Sequence, residues 1–143
     1  MIDKSVKVVF DTNIWISFLI GRRLAYVRSL LSNQSLTIVV CKQLLDEIRL
    51  VTDREKLKKY FPKSSVKELL ELLSIIAEVV EVEPKHSICR DSKDNFLLDL
   101  IEASKADYLV TGDKDLLEHN PFGVTQILTP VDFENALKRL KII

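Results

Sequence analysis

Two rhythms of apolar residues alternate along this chain. Short unbroken runs, rich in β-branched side chains, are separated by longer stretches in which apolar residues return every three or four positions. The first run, 6–10 (VKVVF), has charge before it and Asp11 after it, and it predicts a strand buried on both faces. LTIVVC at 36–41, VVEV at 79–82, YLVT at 108–111 and VTQIL at 124–128 predict four more strands. Helical spacing fills the intervals: 12–20, then 24–31 after the break at Gly21, then 42–51, where Leu44, Leu45, Ile48 and Val51 share a face. Residues 54–60 and 64–77 read as a helical pair joined at Phe61 and Pro62, with Ser65 and Glu68 spaced as a capping box on the second. Further helices are predicted over 94–104 and 114–118, and a last one starts at Pro130 and runs to about Leu140. Strands alternating with helices, with near-continuous apolar strands, give an α/β domain around a parallel central sheet. No linker or repeat divides residues 1–143.

One helix is more apolar than a single buried face requires. Val66, Leu69, Leu70, Leu73 and Ala77 form one stripe, and Leu72, Ile75 and Ile76 widen it. The pair to which it belongs is an excursion between the second and third strands, with little protein to cover its far side. Large exposed apolar patches are rare on monomers, so a two-fold homodimer is expected to bury this surface.

Composition narrows the chemistry. Hydrophobic residues make up 47% of the chain, and 3 Gly and 4 Pro argue against low complexity. Lys+Arg and Asp+Glu balance at 21 each, so no global basic footprint for long duplex DNA exists. Local patches remain candidates for phosphate: Arg22–Arg23, Lys56–Lys58–Lys59 and Lys138–Arg139–Lys141. Cys41 and Cys89 are too few and too far apart for a zinc knuckle or a disulfide framework, and His86 and His119 lack ligand spacing. The apolar stretch from Val8 to Ile20 is interrupted by Asp11 and Asn13, unlike a signal peptide, and nothing is long enough to span a membrane. A soluble cytoplasmic protein is the expectation.

The acidic residues hold the candidate chemistry. Parallel sheets place ligand sites beyond the carboxyl ends of their strands. Asp11 ends the first predicted strand, and Asp113 follows the fourth by two residues. Asp11, Asp94 and Asp113 all precede helical stretches, where a carboxylate also caps free N–H groups. Glu47 lies inside its helix, where capping does not explain it. Clustered carboxylates repel, and a divalent cation relieves that repulsion; oxygen ligands favour Mg2+ or Mn2+. Such a site activates water or clamps the oxygens of a phosphodiester. No GxxxxGK[ST] or GxGxxG motif points to a nucleotide cofactor, and no Ser–His–Asp or Cys–His arrangement competes. A receiver-type α/β domain with clustered Asp would need a lysine after a late strand and a phosphorylatable central Asp, which no strand here supplies.

These residues resemble the motifs of the PIN-domain family. VVFDTN (Val8–Asn13) is similar to its opening motif, LLDEI (Leu44–Ile48) to its second, RDSKDNFLLDL (Arg90–Leu100) to its third, and ADYLVTGDKDLL (Ala106–Leu117) to its fourth. QILTPVDF (Gln126–Phe133) looks like the toxin-type, VapC-like subgroup. The resemblance implies a three-layer α/β/α fold with a five-stranded parallel sheet. It implies an Mg2+- or Mn2+-dependent endoribonuclease, with RNA as substrate, often the toxin paired with a small antitoxin protein that would share the apolar helical surface. By motif, Asp11, Glu47, Asp94 and Asp113 are the catalytic and metal-binding acids, Asn13 and Thr111 polar supports, and Asp115 an additional carboxylate. Asp91 competes with Asp94 in the third motif, where the helix start and the spacing to Asp113 favour Asp94. Asp46 competes with Glu47, since successive helical residues diverge by ~100°. The alternative is a PIN fold that binds RNA or a protein and cleaves weakly or not at all.

Overall fold

In the computed structural model, which describes residues 5–86 and 94–143, the five runs become parallel strands: β1 Val6–Phe10, β2 Leu36–Val40, β3 Glu78–Val79, β4 Tyr108–Val110 and β5 Gln126–Leu128. Their order across the sheet is β3-β2-β1-β4-β5. The order reverses at β1, the switch point at which open α/β sheets form their ligand crevice. Register aligns the strand ends. Phe10 pairs with Val110, Val110 with Leu128, and Val40 with Val79. The β1–β2 register of Val8 with Ile38 carries Phe10 to the level of Val40. The next residues, Cys41, Asp11, Thr111 and Thr129, therefore emerge along one edge of the sheet.

Helices α1 (Thr12–Ile20) and α2 (Leu24–Ser32) join β1 to β2. Helices α3 (Lys42–Thr52) and α4 (Lys63–Ile76) join β2 to β3. Helix α5 (Asn95–Ser104) leads to β4, α6 (Lys114–Leu117) to β5, and α7 (Pro130–Arg139) follows β5. Right-handed crossovers put the helices of the leftward connections on one face and α5, which returns rightward, on the other. The result is an α/β/α sandwich. Phe10 sits at the heart of the first interface, with its ring 5.1 Å from Trp15, 5.8 Å from Phe18 and 5.5 Å from Phe133, all edge to face. This places α1 and α7 on the same side of the sheet. Leu97, Leu98, Leu100 and Ile101 of α5 are wholly or almost wholly buried.

Three expectations change. The helix expected over 54–60 is only a 3-10 turn at Lys58–Tyr60. That segment has Leu57 as its one partly buried apolar residue, and a short helix without tertiary packing is not sustained. The capping box at Ser65 does not form, because α4 begins earlier, with Pro62 at its N-cap. Ser65 donates its backbone N–H to the Pro62 carbonyl, and Glu68 instead pairs with Arg28 of α2. The third strand shrinks from 79–82 to two residues, as suits an edge strand that runs on into Glu81, Glu83 and Pro84.

Candidate active site

Asp11 leaves β1 at the sheet's switch point and is almost fully buried. Its Oδ1 accepts the Ile14 N–H at 2.8 Å, so the carboxylate is the N-cap of α1. Its Oδ2 accepts the hydroxyl of Thr111, a residue wholly buried at the end of β4. The Thr111 hydroxyl oxygen in turn accepts the Asp113 N–H at 3.0 Å, and Asp113 Oδ1 accepts the Asp115 N–H at 2.9 Å. Asp11, Thr111, Asp113 and Asp115 thus form one hydrogen-bonded chain across adjacent strand ends. Gly112, between Thr111 and Asp113, has open space where a Cβ would stand.

Burial pushes the Asp11 carboxyl above the ordinary carboxylate range, and the nearby charge of Asp113 adds to that rise. The hydrogen bonds from Thr111 and Ile14, and a smaller one from the Asn13 backbone, oppose it. A desolvated carboxylate beside a second one invites a cation. Every donor atom in the cluster is a hard oxygen, which suits Mg2+ or Mn2+ rather than zinc. Thr12 Oγ1, next to Asp11 in the chain, is buried with no hydrogen-bond partner among the described residues.

The other predicted residues stand as follows. Glu47 is half-buried on α3, and its charge reaches the buried Cys41 thiol at the end of β2, the strand beside β1. Asp46 is paired on the helix surface with Arg49 at 3.3 Å. Asp94 occupies the N-cap position of α5 without a side-chain capping bond, and Asp91 lies outside the described residues. Asn13 is exposed in the first turn of α1. Among the described residues, no three His, Cys, Asp or Glu side chains gather closely enough to hold an ion. The structure joins Asp11 to Asp113 and Asp115 by hydrogen bonds through Thr111.

The family model described as "PIN domain" matches residues 7–115, a span that holds the first three motifs and the fourth as far as Asp115. The chain belongs to the PIN-domain family. An uncharacterised protein of Methanocaldococcus jannaschii is 30% identical over 115 residues, covering 78% of this chain and 74% of its own length. Solved structures share the fold at lower identity. VapBC2 from Rickettsia felis, bound to a DNA fragment from their promoter, aligns with a TM-score of 0.58 at 16% identity, covering 85% of this chain and 97% of that one. PAE2754 from Pyrobaculum aerophilum aligns at 0.55 and 17%, covering 97% and 99%. The PIN domain of RRP44 from T. brucei aligns at 0.56 and 15%, covering 99% and 86%. The five-stranded parallel sheet and its flanking helices are thus those of the PIN fold, a nuclease-type fold whose members generally use divalent metals. No helix among the described residues is long and apolar enough to cross a membrane.

Proposed function

We propose that this PIN domain, residues 1–143 as one unit, is a metal-dependent endoribonuclease. The observation that carries the reading is the Asp11–Thr111–Asp113 chain, buried at Asp11 and Thr111, at the ends of the two central strands. Asp11 and Asp113 would hold Mg2+ or Mn2+, with Asp115, and Glu47 and Asp94 would complete the set from the flanking helices. A bound ion supplies an activated water and neutralises charge on the phosphodiester. Thr111 fixes Asp11 and Asp113 relative to one another, and the Ile14 N–H orients the remaining Asp11 oxygen. The toxin of a toxin–antitoxin pair is the biological role that the VapC-like motifs and tail favour, and the fold shared with VapBC2 supports it. A small antitoxin protein is then the partner, and the cytoplasm the compartment.

The test is RNA cleavage by pure protein with Mn2+ or Mg2+ and with EDTA. Cleavage is expected only with metal and is expected to disappear in Asp113→Asn. Cleavage that persists in EDTA, or in that variant at matched purity, overturns the reading. A second reading, a PIN-fold module that binds RNA or a protein without cleaving, is favoured by one observation. No three ligating side chains converge among the described residues. RNA binding without cleavage in any divalent metal would select it.

A further inference from the structure

A separate cavity of about 220 Å3 opens between α1, α2 and α7. Its lining includes Phe10 and Val110, which precede Asp11 and Thr111 in the chain. It is smaller than the ~300–1,000 Å3 of sites for drug-sized ligands, so it has room for about one flat ring system. One wall is aromatic. The Arg23 guanidinium lies 4.4 Å from the Tyr26 ring centroid, and that ring packs edge to face on Phe18 at 5.6 Å. Glu134 of α7 lines the same cavity; burial raises the pKa of the Tyr26 hydroxyl, and the nearby Glu134 charge adds to that rise. Exposed Val131 stands at the same rim.

An aromatic ring with a stacked guanidinium is the surface on which unpaired bases stack. A carboxylate at the edge of that surface accepts N–H groups, as acidic side chains do from an exocyclic amine. Uracil alone among the RNA bases lacks such an amine. We propose that this cavity binds the base of a nucleotide next to the scissile phosphate, with Tyr26 and Arg23 as the stacking wall and Glu134 selecting an amino-bearing base over uracil. Its placement beside the scissile phosphate rests on the ribonuclease reading; base binding itself does not.

The probes are AMP, CMP, GMP and UMP, titrated into the 15N-labelled full chain in EDTA and followed by backbone amide shifts. The amino-bearing nucleotides are expected to shift the Phe18, Tyr26 and Glu134 amides with about tenfold lower Kd than UMP, the discrimination of one good base contact. Glu134→Gln keeps the shape of an exposed side chain, and its amide spectrum reports whether the fold is intact. In that variant the gap is expected to fall to within about twofold. Equal binding of all four nucleotides, shifts that map elsewhere, or undiminished discrimination in Glu134→Gln would overturn the proposal. Nucleotide binding as expected together with metal-dependent assays that show no RNA cleavage would sink the ribonuclease reading and leave the base pocket standing.

Discussion

At Asp11 a helix cap and a candidate metal ligand are the same carboxylate, and its surroundings pull its titration in opposite directions. Burial, aided by Asp113, raises its pKa, while the Thr111 and Ile14 hydrogen bonds restrain the rise. The folded state therefore holds this proton more tightly than the unfolded chain, whose reference value is 3.8. Native stability linked to Asp11 is fully present below that value and is lost as pH rises through the folded pKa. Without metal at neutral pH, the ionised Asp11 is a net burden, and Asp11→Asn keeps an oxygen to cap Ile14. The variant is expected to melt higher than wild type in EDTA near neutral pH. That advantage should shrink as pH falls and vanish below about pH 3, where the carboxyl is protonated in both the folded and the unfolded chain. Thermal unfolding across this range checks it, and a lower Tm for the variant at neutral pH would contradict it. Thr111 is the hinge of the same chain. Thr111→Val strips a donor from Asp11 and leaves the partly buried Asp113 N–H without its acceptor. It is expected to cost about 1–3 kcal/mol in denaturant unfolding and to lower any metal-dependent cleavage. A neutral effect on both would mean that the hydroxyl positions nothing.

Among the elements, α5 carries the most open question. Asp94 stands at its N-cap, and its buried Asp99 accepts the backbone N–H groups of Lys85 and His86 at 3.1 and 2.9 Å. His86 is further held by Glu102 at 2.6 Å. These bonds tether the chain that leaves β3 to the body of α5. An acid at the start of this helix is thereby fixed to the core, whereas Asp91 precedes the helix by several residues. Asp94→Asn is expected to reduce RNA cleavage severely and Asp91→Asn only slightly, measured on one RNA at equal protein concentration. The reverse ranking would assign the third acid to Asp91. The other helix whose residues matter individually is α4. Leu69 and Leu73 are completely buried, but Ile75 and Ile76 are 80% and 53% exposed. The stripe legible in the sequence is thus split between the core and the surface.

For the whole molecule, that split makes the case for self-association. Between α3 and α4 runs a groove of about 680 Å3 with Phe61, Val66, Leu70 and Ile75 along it, and Arg49, Lys58 and Lys63 among its rim. Leu50 and Val79 add exposed apolar surface on neighbouring elements. Solvent does not stabilise so much uncovered aliphatic surface, and a two-fold partner would bury it on both copies at once. Light scattering is expected to give about twice the 16.4 kDa chain mass, and Ile75→Glu or Leu72→Glu is expected to return it to one. A mass of one chain across micromolar concentrations counts against the dimer, and a dimer that survives both variants moves the interface elsewhere.

What the sequence by itself determined is the alternation of elements and the acids that stand at strand ends. Both depend on local physics: β-branched runs for strands, three-to-four spacing for helices, and a capping carboxylate where a strand gives way to a helix at Asp11 and Asp113. The boundaries of β1, α1, α3 and α7 were legible to within a residue or so for that reason. The tertiary structure alone decided what depends on partners distant in the chain. The capping box at Ser65 was outcompeted because Pro62 starts α4 earlier and Arg28, forty residues away in the chain, draws Glu68 outward. The hydrogen bond between Asp11 and Thr111 spans a hundred residues and exists only because β1 and β4 are neighbours. The pocket of Arg23, Tyr26 and Glu134 had one sequence signal, the Arg22–Arg23 pair, since no local pattern announces that α7 will fold back beside α1. Spacing reports which way a side chain faces along its own element; only packing reports what it meets there.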